Sequence, residues 1–234
     1  MHPAYLYKVI SAEKWRKSQS QEEVILSAMD TDFIHLATEE QLAHVITKFW
    51  TDTKEFIILK VDASQLRGHL KLETNPGGTN QYYHLYDGGI PRKAITETTT
   101  LDNRKKCACY SRLSYGICCE LYHKGVPVPN ARALMRSRYS AYVLKLADYI
   151  IDTTHPKNPH YLENRSLWKE QVLSFCQETR FKDLKIHSFE ENGNEAFVTF
   201  TAMLKQGKHD TSFTEKSRFL KVNNRWLYVD GIIE

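Results

Sequence analysis

Residues 98–125 read TTTLDNRKKCACYSRLSYGICCELYHKG, and this stretch divides the chain. Its first nine residues have no apolar period and end in a burst of positive charge, which predicts a domain boundary. The cysteines follow. Four of the chain's five, Cys107, Cys109, Cys118 and Cys119, fall within thirteen residues, and Cys176 stands alone. In a reducing compartment such a cluster points to a metal site rather than to disulfides. The spacing is C-x-C-x8-C-C: cysteines two apart can both turn inward on a tight loop, and an adjacent pair can do so at a helix start. Four thiolates enclose a tetrahedral Zn²⁺ at about 2.3 Å per bond, and with all four positions filled by cysteine no position is open to water, so the expected zinc is structural. The alternative is a set of free or oxidised thiols. His123, four residues past Cys119, is a reserve ligand.

Charge singles out the same region. Residues 1–102 hold 11 Lys/Arg against 14 Asp/Glu, residues 103–140 hold 8 against 1, and residues 141–234 hold 13 of each. So local a basic stretch suits an acidic protein surface or nucleic acid, although such runs also occur as solvated faces. Few aromatics interleave with it beyond Tyr110, Tyr115 and Tyr122, so a protein partner ranks ahead of RNA. The chain has 234 residues, 41% of them hydrophobic and 26% charged, enough for two ordinary cores and no case for disorder. The apolar run FIIL at 56–59 is among the longest, far short of a membrane span. The N-terminus lacks a basic segment followed by an apolar one, and with no secretory signal the expected location is the cytoplasm. Walker loops, Rossmann glycine fingerprints, HExxH and Gly-x-Ser-x-Gly elbows are absent from the sequence.

Upstream, the pattern mixes strands and helices. Strands are expected at 4–9, 32–37, 56–62, 69–73, 82–86 and 93–96, with a Pro-Gly-Gly loop at 76–78. Ser11 is placed to cap a short helix carrying Trp15, and Thr38 to cap a helix in which Leu42, Val45, Ile46 and Phe49 recur at helical spacing. Downstream, helices are expected over roughly 131–152 and 164–179. Four strands then follow, separated by the turns ENGN, KQGK and NN. The expected class is α+β throughout, the second part being a curved sheet wrapped on a helix.

Two histidines of the first part lie on expected strands: His35 in Phe33-Ile34-His35-Leu36 and His84 in Tyr83-His84-Leu85-Tyr86. Each could be a satisfied core histidine; alternation also allows both to face one cleft, with Glu73 the nearest acid.

These residues carry three resemblances. The cysteine spacing is that of the SEC-C zinc motif. That family usually has Pro between the first two cysteines and Gly-Ser-Gly after the second, where this chain has Ala108 and Tyr110-Ser111-Arg112. Residues 133–156 and 215–231 resemble the YchJ-like family, in which a SEC-C motif precedes an NTF2-like (cystatin-like) domain. That resemblance implies a cone whose mouth holds a small ligand or serves as a dimer face, with Arg136, Tyr139, Tyr142, His155, Ser217 and Asp230 as polar candidates; the same residues can equally be structural. Ile34-His35-Leu36-Ala37-Thr38, Leu72-Glu73 and Tyr83-His84-Leu85-Tyr86-Asp87 resemble the family named domain of unknown function 952, with Tyr83 and Asp87 in place of its usual Pro and Gly. That family looks related to the ADP-ribosyltransferase fold. The relation implies an NAD site with His35, Glu73, His84 and Tyr86 as catalytic residues, and His35, Thr38, Tyr82 and His84 as cofactor-binding ones.

The expected organisation is therefore a first domain over 1–102, a zinc motif over 103–125 and an NTF2-like domain over 126–234. Three functions compete: an NAD-utilising transferase or hydrolase, an adaptor docking an acidic protein or RNA through the zinc motif, and a small-ligand binder.

Overall fold

The computed structural model describes residues 2–75 and 78–234. The chain forms two compact units, Met1–Lys105 and Lys106–Glu234.

The first unit is built from β1 (Tyr5–Ser11), α1 (Ala12–Ser18), β2 (Ile34–Leu36), α2 (Leu42–Phe49), β3 (Glu55–Asp62), β4 (Arg67–Thr74), β5 (Gln81–Gly89) and β6 (Ile95–Asp102). Two three-stranded antiparallel sheets result, ordered β1-β3-β6 and β2-β5-β4. Strand β3 reads as a continuous apolar run because it is central, with Phe56 through Leu59 buried; Leu6, Ile10, Ile34, Leu36 and Leu85 join its neighbours in one core. The Ser11 side chain accepts from Lys14 N, the cap that starts α1. Thr38, in contrast, caps nothing: its own N–H donates to Gln41 Oε1, and α2 begins only at Leu42. The threonines at 98–100, which lack any apolar period, extend β6 to Asp102. Pairing with β3 satisfies their backbone whatever their side chains. Of the Pro-Gly-Gly loop, Pro76 and Gly77 lie outside the described residues.

The second unit opens with the cysteine loop, a π-helical turn at Gly116–Glu120 and α3 (Leu121–His123). Then come α4 (Ala131–Val143), α5 (Ala147–Asp152), α6 (Arg165–Glu178) and the strands β7 (Thr179–Asn192), β8 (Glu195–Gln206), β9 (His209–Asp210), β10 (Phe213–Val222) and β11 (Arg225–Ile233). The single helix expected over 131–152 is two. After Leu144 the backbone turns left-handed at Lys145 (φ 59°), Leu146 N bonds Ala141 O at 2.8 Å, and Lys145 N bonds Tyr142 O at 3.2 Å. This pairing closes a helix end most often with glycine, so a lysine there hides the break from a sequence reading.

The sheet runs β11-β10-β8-β7, with β9 beside β8, antiparallel throughout. The expected curved-sheet cone is not formed. The sheet is open and not strongly curled, and among the described residues β7 and β11 end it as separate edges. The physical reason lies in the layer against it. Leu134, Met135 and Tyr139 of α4 cover its apolar face at Leu184, Val198, Phe200 and Phe219, so that face is buried without the sheet closing on itself. Asn130 caps α4, its Oδ1 accepting from Ala133 N at 2.8 Å. Asn130→Ala is expected to lower stability by about 1 kcal/mol, read from the urea midpoint at unchanged slope.

Candidate functional site

The four clustered cysteines converge. Their sulfurs all lie within 4.8 Å of one another, with Cys109 Sγ 3.5 Å from Cys118 Sγ, and Cys118 Sγ 3.7 Å from Cys119 Sγ. No disulfide joins them. A tetrahedron with about 2.3 Å metal–sulfur bonds has edges of roughly 3.8 Å, so this cluster is able to hold a metal ion. Local backbone creates it. Cys107 N donates to Leu113 O at 2.9 Å, closing the loop that carries the first pair, and the amides of Cys118, Cys119 and Glu120 all point at Tyr115 O, winding the turn that carries the second. Hydrogen bonding with Cys107 holds the Cys109 thiol below its ordinary pKa. Bonding to Cys107 and Cys109 holds Cys118 and Cys119 above theirs. A cation among the sulfurs is what would release the protons that remain.

Tyr110 and Arg112, which stand where this motif usually has glycine, sit in the left-handed region at φ 58° and 69°. The left-handed region costs a side-chain-bearing residue roughly 1–2 kcal/mol, so the loop carries two bulky residues where glycine would be more stable. Tyr110 is tied down, its hydroxyl donating to Phe181 O. Arg112 is exposed, and its side chain makes no hydrogen bond or ion pair among the described residues. Arg112→Gly is therefore expected to raise the stability of the metal-loaded second unit by about 1 kcal/mol, measured as a higher Tm. His123 is not a ligand: its Nε2 donates to Ser137 O at 2.9 Å, and its Nδ1 accepts from the Tyr115 hydroxyl at 2.7 Å. Burial lowers its pKa to about 4.

In the first unit His35 and His84 are direct cross-strand partners on β2 and β5, their rings 5.2 Å apart and edge to face. Glu73 lies diagonally across on β4, and Tyr86 two residues along β5, so the strand period puts all four on one face. Glu73 Oε1 accepts from the Tyr86 hydroxyl at 2.5 Å and from His84 Nδ1 at 2.9 Å, and these bonds hold its carboxyl below the usual range. His35 Nδ1 is likewise 3.2 Å from Asp30 Oδ1. An ionised carboxylate only accepts, so both imidazoles carry a proton on Nδ1. His84 is 1% exposed, and its Nε2 is buried without a hydrogen-bond partner among the described residues. Phe33 stacks on its ring at 4.0 Å.

Asp30 and Lys8 are the residues that the sequence reading missed. Lys8 Nζ donates to Asp30 Oδ1 at 2.6 Å, with the side chains 8% and 2% exposed. Burial alone would raise Asp30; the bonds from His35 and Lys8 outweigh it and hold the carboxyl well below its ordinary value. The one available sign was a lysine inside the apolar strand YLYKVI. His35, Lys8, Asp30 and Tyr82 line a cavity of about 490 Å³, with Phe49 and Met29 among its apolar walls. Thr38 does not line it, and its amide is spent on Gln41.

Of the six polar candidates in the second unit, Tyr139, Tyr142 and Ser217 line a common cavity of about 170 Å³. The other three have different contacts. Arg136 donates to Cys109 O, Asp230 pairs with Arg218 at 2.8 Å, and the His155 ring accepts from Lys157 N.

Comparison with known proteins divides the chain similarly. Residues 130–231 match the family model described as "YchJ, middle NTF2-like domain", and residues 9–98 that described as "Protein of unknown function (DUF952)". Among solved structures, CC0527 from Caulobacter crescentus is 27% identical, with 47% of this chain and 92% of that one covered at a TM-score of 0.39. A SEC-C motif containing protein from Psychrobacter arcticus is 26% identical over 56% of this chain and 84% of that one, at a TM-score of 0.48. RPA3114, a SEC-C motif containing protein from Rhodopseudomonas palustris, also gives a TM-score of 0.48, covering 55% of this chain. With 34% identity across 98% of that relative, the chain belongs to the SEC-C motif containing proteins.

Proposed function

We propose that the chain is a zinc-organised adaptor, in which four thiolates hold Zn²⁺ and the ion fixes a basic loop that docks an acidic protein. In this reading residues 103–125 form the docking module, between a first domain of 1–102 and a second of 126–234. The supporting observation is the loop's composition against its conformation: Tyr110 and Arg112 occupy left-handed positions that glycine would hold at lower cost. Such a cost persists where the side chains have work to do. Leu113 beside them is also exposed, at 49%, and Lys106, Arg112, Lys124 and Arg132 are exposed cations with no carboxylate partner among the described residues of the second unit. An exposed apolar residue in a cation-rich segment suits an acidic surface with an apolar anchor.

The test is fluorescence anisotropy of a labelled oligoglutamate peptide and an oligouridylate against the zinc-loaded chain, across a salt series. The peptide is expected to bind, to lose roughly threefold in affinity with Arg112→Gly, and to be released by chelation. Tighter RNA binding with a steep salt slope would move the partner class to nucleic acid. Peptide binding that survives metal removal would overturn the zinc-organised loop.

A second reading concerns the first unit, favoured by the two imidazoles, each oriented by a carboxylate, with His35 on the wall of a cavity. NAD chemistry there would have His35 bond ribose hydroxyls and Tyr82 or Tyr86 stack on the nicotinamide, while Glu73 stabilises developing positive charge. His84, 1% exposed, is closed to a ligand in this arrangement and would act by orienting Glu73. Calorimetric titration of NAD, with His35→Ala beside it, tests this: saturable heat abolished by the substitution supports it, and no heat removes it.

A further inference from the structure

We propose that the second unit binds a small monocarboxylic acid with an apolar body, its carboxylate received by Arg138. This is independent of the docking loop and of the histidine cavity. Arg138 lies on α4 and is 5% exposed. Its Nη1 is satisfied by Ile150 O at 2.9 Å, Thr153 Oγ1 at 2.7 Å and Thr154 Oγ1 at 3.1 Å, and its Cζ sits 4.8 Å from the Tyr228 ring centre. Among the described residues no carboxylate lies within ion-pairing distance of the guanidinium, and its Nε and Nη2 make no hydrogen bond. A guanidinium is charged at every accessible pH, and a buried charge without a counter-charge is among the costliest features a core can hold.

The structure places that charge on the wall of the 170 Å³ cavity, whose other walls include Tyr142, Phe175, Phe213 and Tyr228. A cavity of about 150 Å³ accommodates a benzene ring, so the size suits a ligand near benzoate. Glu215 narrows the chemistry. It lines the same cavity, and its Oε1 accepts from the Ser217 hydroxyl and from the Tyr228 hydroxyl at 3.2 Å. A phosphate or dicarboxylate would bring further negative charge against Glu215. A single carboxylate on an aromatic or branched body meets Arg138 through the fork's free edge and leaves its apolar part to the rings.

The experiment is calorimetric and ligand-observed NMR titration of the zinc-loaded full chain with benzoate, with its neutral isostere benzamide, and with inorganic phosphate. Benzoate is expected to bind with Kd near or below about 1 mM and at least about tenfold tighter than benzamide, with phosphate silent. Ala202→Leu, which fills the cavity from β8, is expected to abolish benzoate binding, and Arg138→Met to erase the preference over benzamide. Equal affinity for benzoate and benzamide, benzoate binding that persists in folded Ala202→Leu, or no benzoate binding would each overturn the proposal. The comparison of the three ligands on the unmodified chain decides it even if neither variant folds.

Discussion

Cys109→Ser is expected to abolish stoichiometric zinc binding and to unfold the loop from Cys107 to His123, the largest effect of any single substitution here. Cys109 is fully buried at the centre of the cluster. Its backbone carbonyl accepts from Arg136 on α4, and the neighbouring Cys107 Sγ reaches Ser140 on the same helix. Losing the ion therefore loosens the loop and then the start of α4. Structural zinc contributes on the order of 10–16 kcal/mol of apparent binding free energy in small zinc modules, as large as the whole stability of a typical domain. Hydrogen exchange on the full chain is the measurement. Protection should disappear over 107–123 and fall along α4, while β3 of the first unit keeps its protection. The same pattern should follow chelation of the unmodified chain. Full protection of the loop after chelation would show that packing alone holds it.

Asp30→Asn is expected to destabilise the first unit by about 3–5 kcal/mol, because it leaves the Lys8 ammonium buried without its counter-charge. Asp30 also receives the His35 amide and the Ser27 hydroxyl, so its loss frees β2 from the loop preceding it. Lys8→Met/Asp30→Asn should recover most of the loss, since removing both charges removes the desolvation cost as well. Urea denaturation of the two single variants and the double one closes the cycle, and additive losses would refute the coupling. The pH dependence has a definite sign. The folded carboxyl titrates below its ordinary value of 3.8, so its contribution is fully present above that pH and disappears as the pH falls toward the lower folded value. Asp30→Asn should therefore flatten the acid limb of the stability curve.

The sequence exposed the cysteine set fully, because metal-ligand spacing is a local property and four sulfurs in thirteen residues leave few other arrangements. Strand β3 and the four-strand meander were legible for a similar reason: alternation and turn residues are written in consecutive positions. His35 and His84 could be nominated singly but not paired, since their register depends on a hydrogen-bonded ladder between residues 49 positions apart. The three residues at glycine positions show the same limit from the other side. Asp87, Tyr110 and Arg112 look like departures from motif, yet each sits in the left-handed region, at φ 51°, 58° and 69°.

By itself, then, the sequence determined the α+β class, the metal-competent cysteine cluster and the faces of most strands, all set by short-range pattern. Tertiary structure decided what long-range burial controls. It broke the helix at Lys145, left the second sheet open because α4 already covers its apolar face, and buried Lys8 on Asp30 beneath His35. It also buried Arg138 with no carboxylate in ion-pairing distance among the described residues. Each of these depends on which surfaces lose water to one another, and that is settled only when distant segments pack.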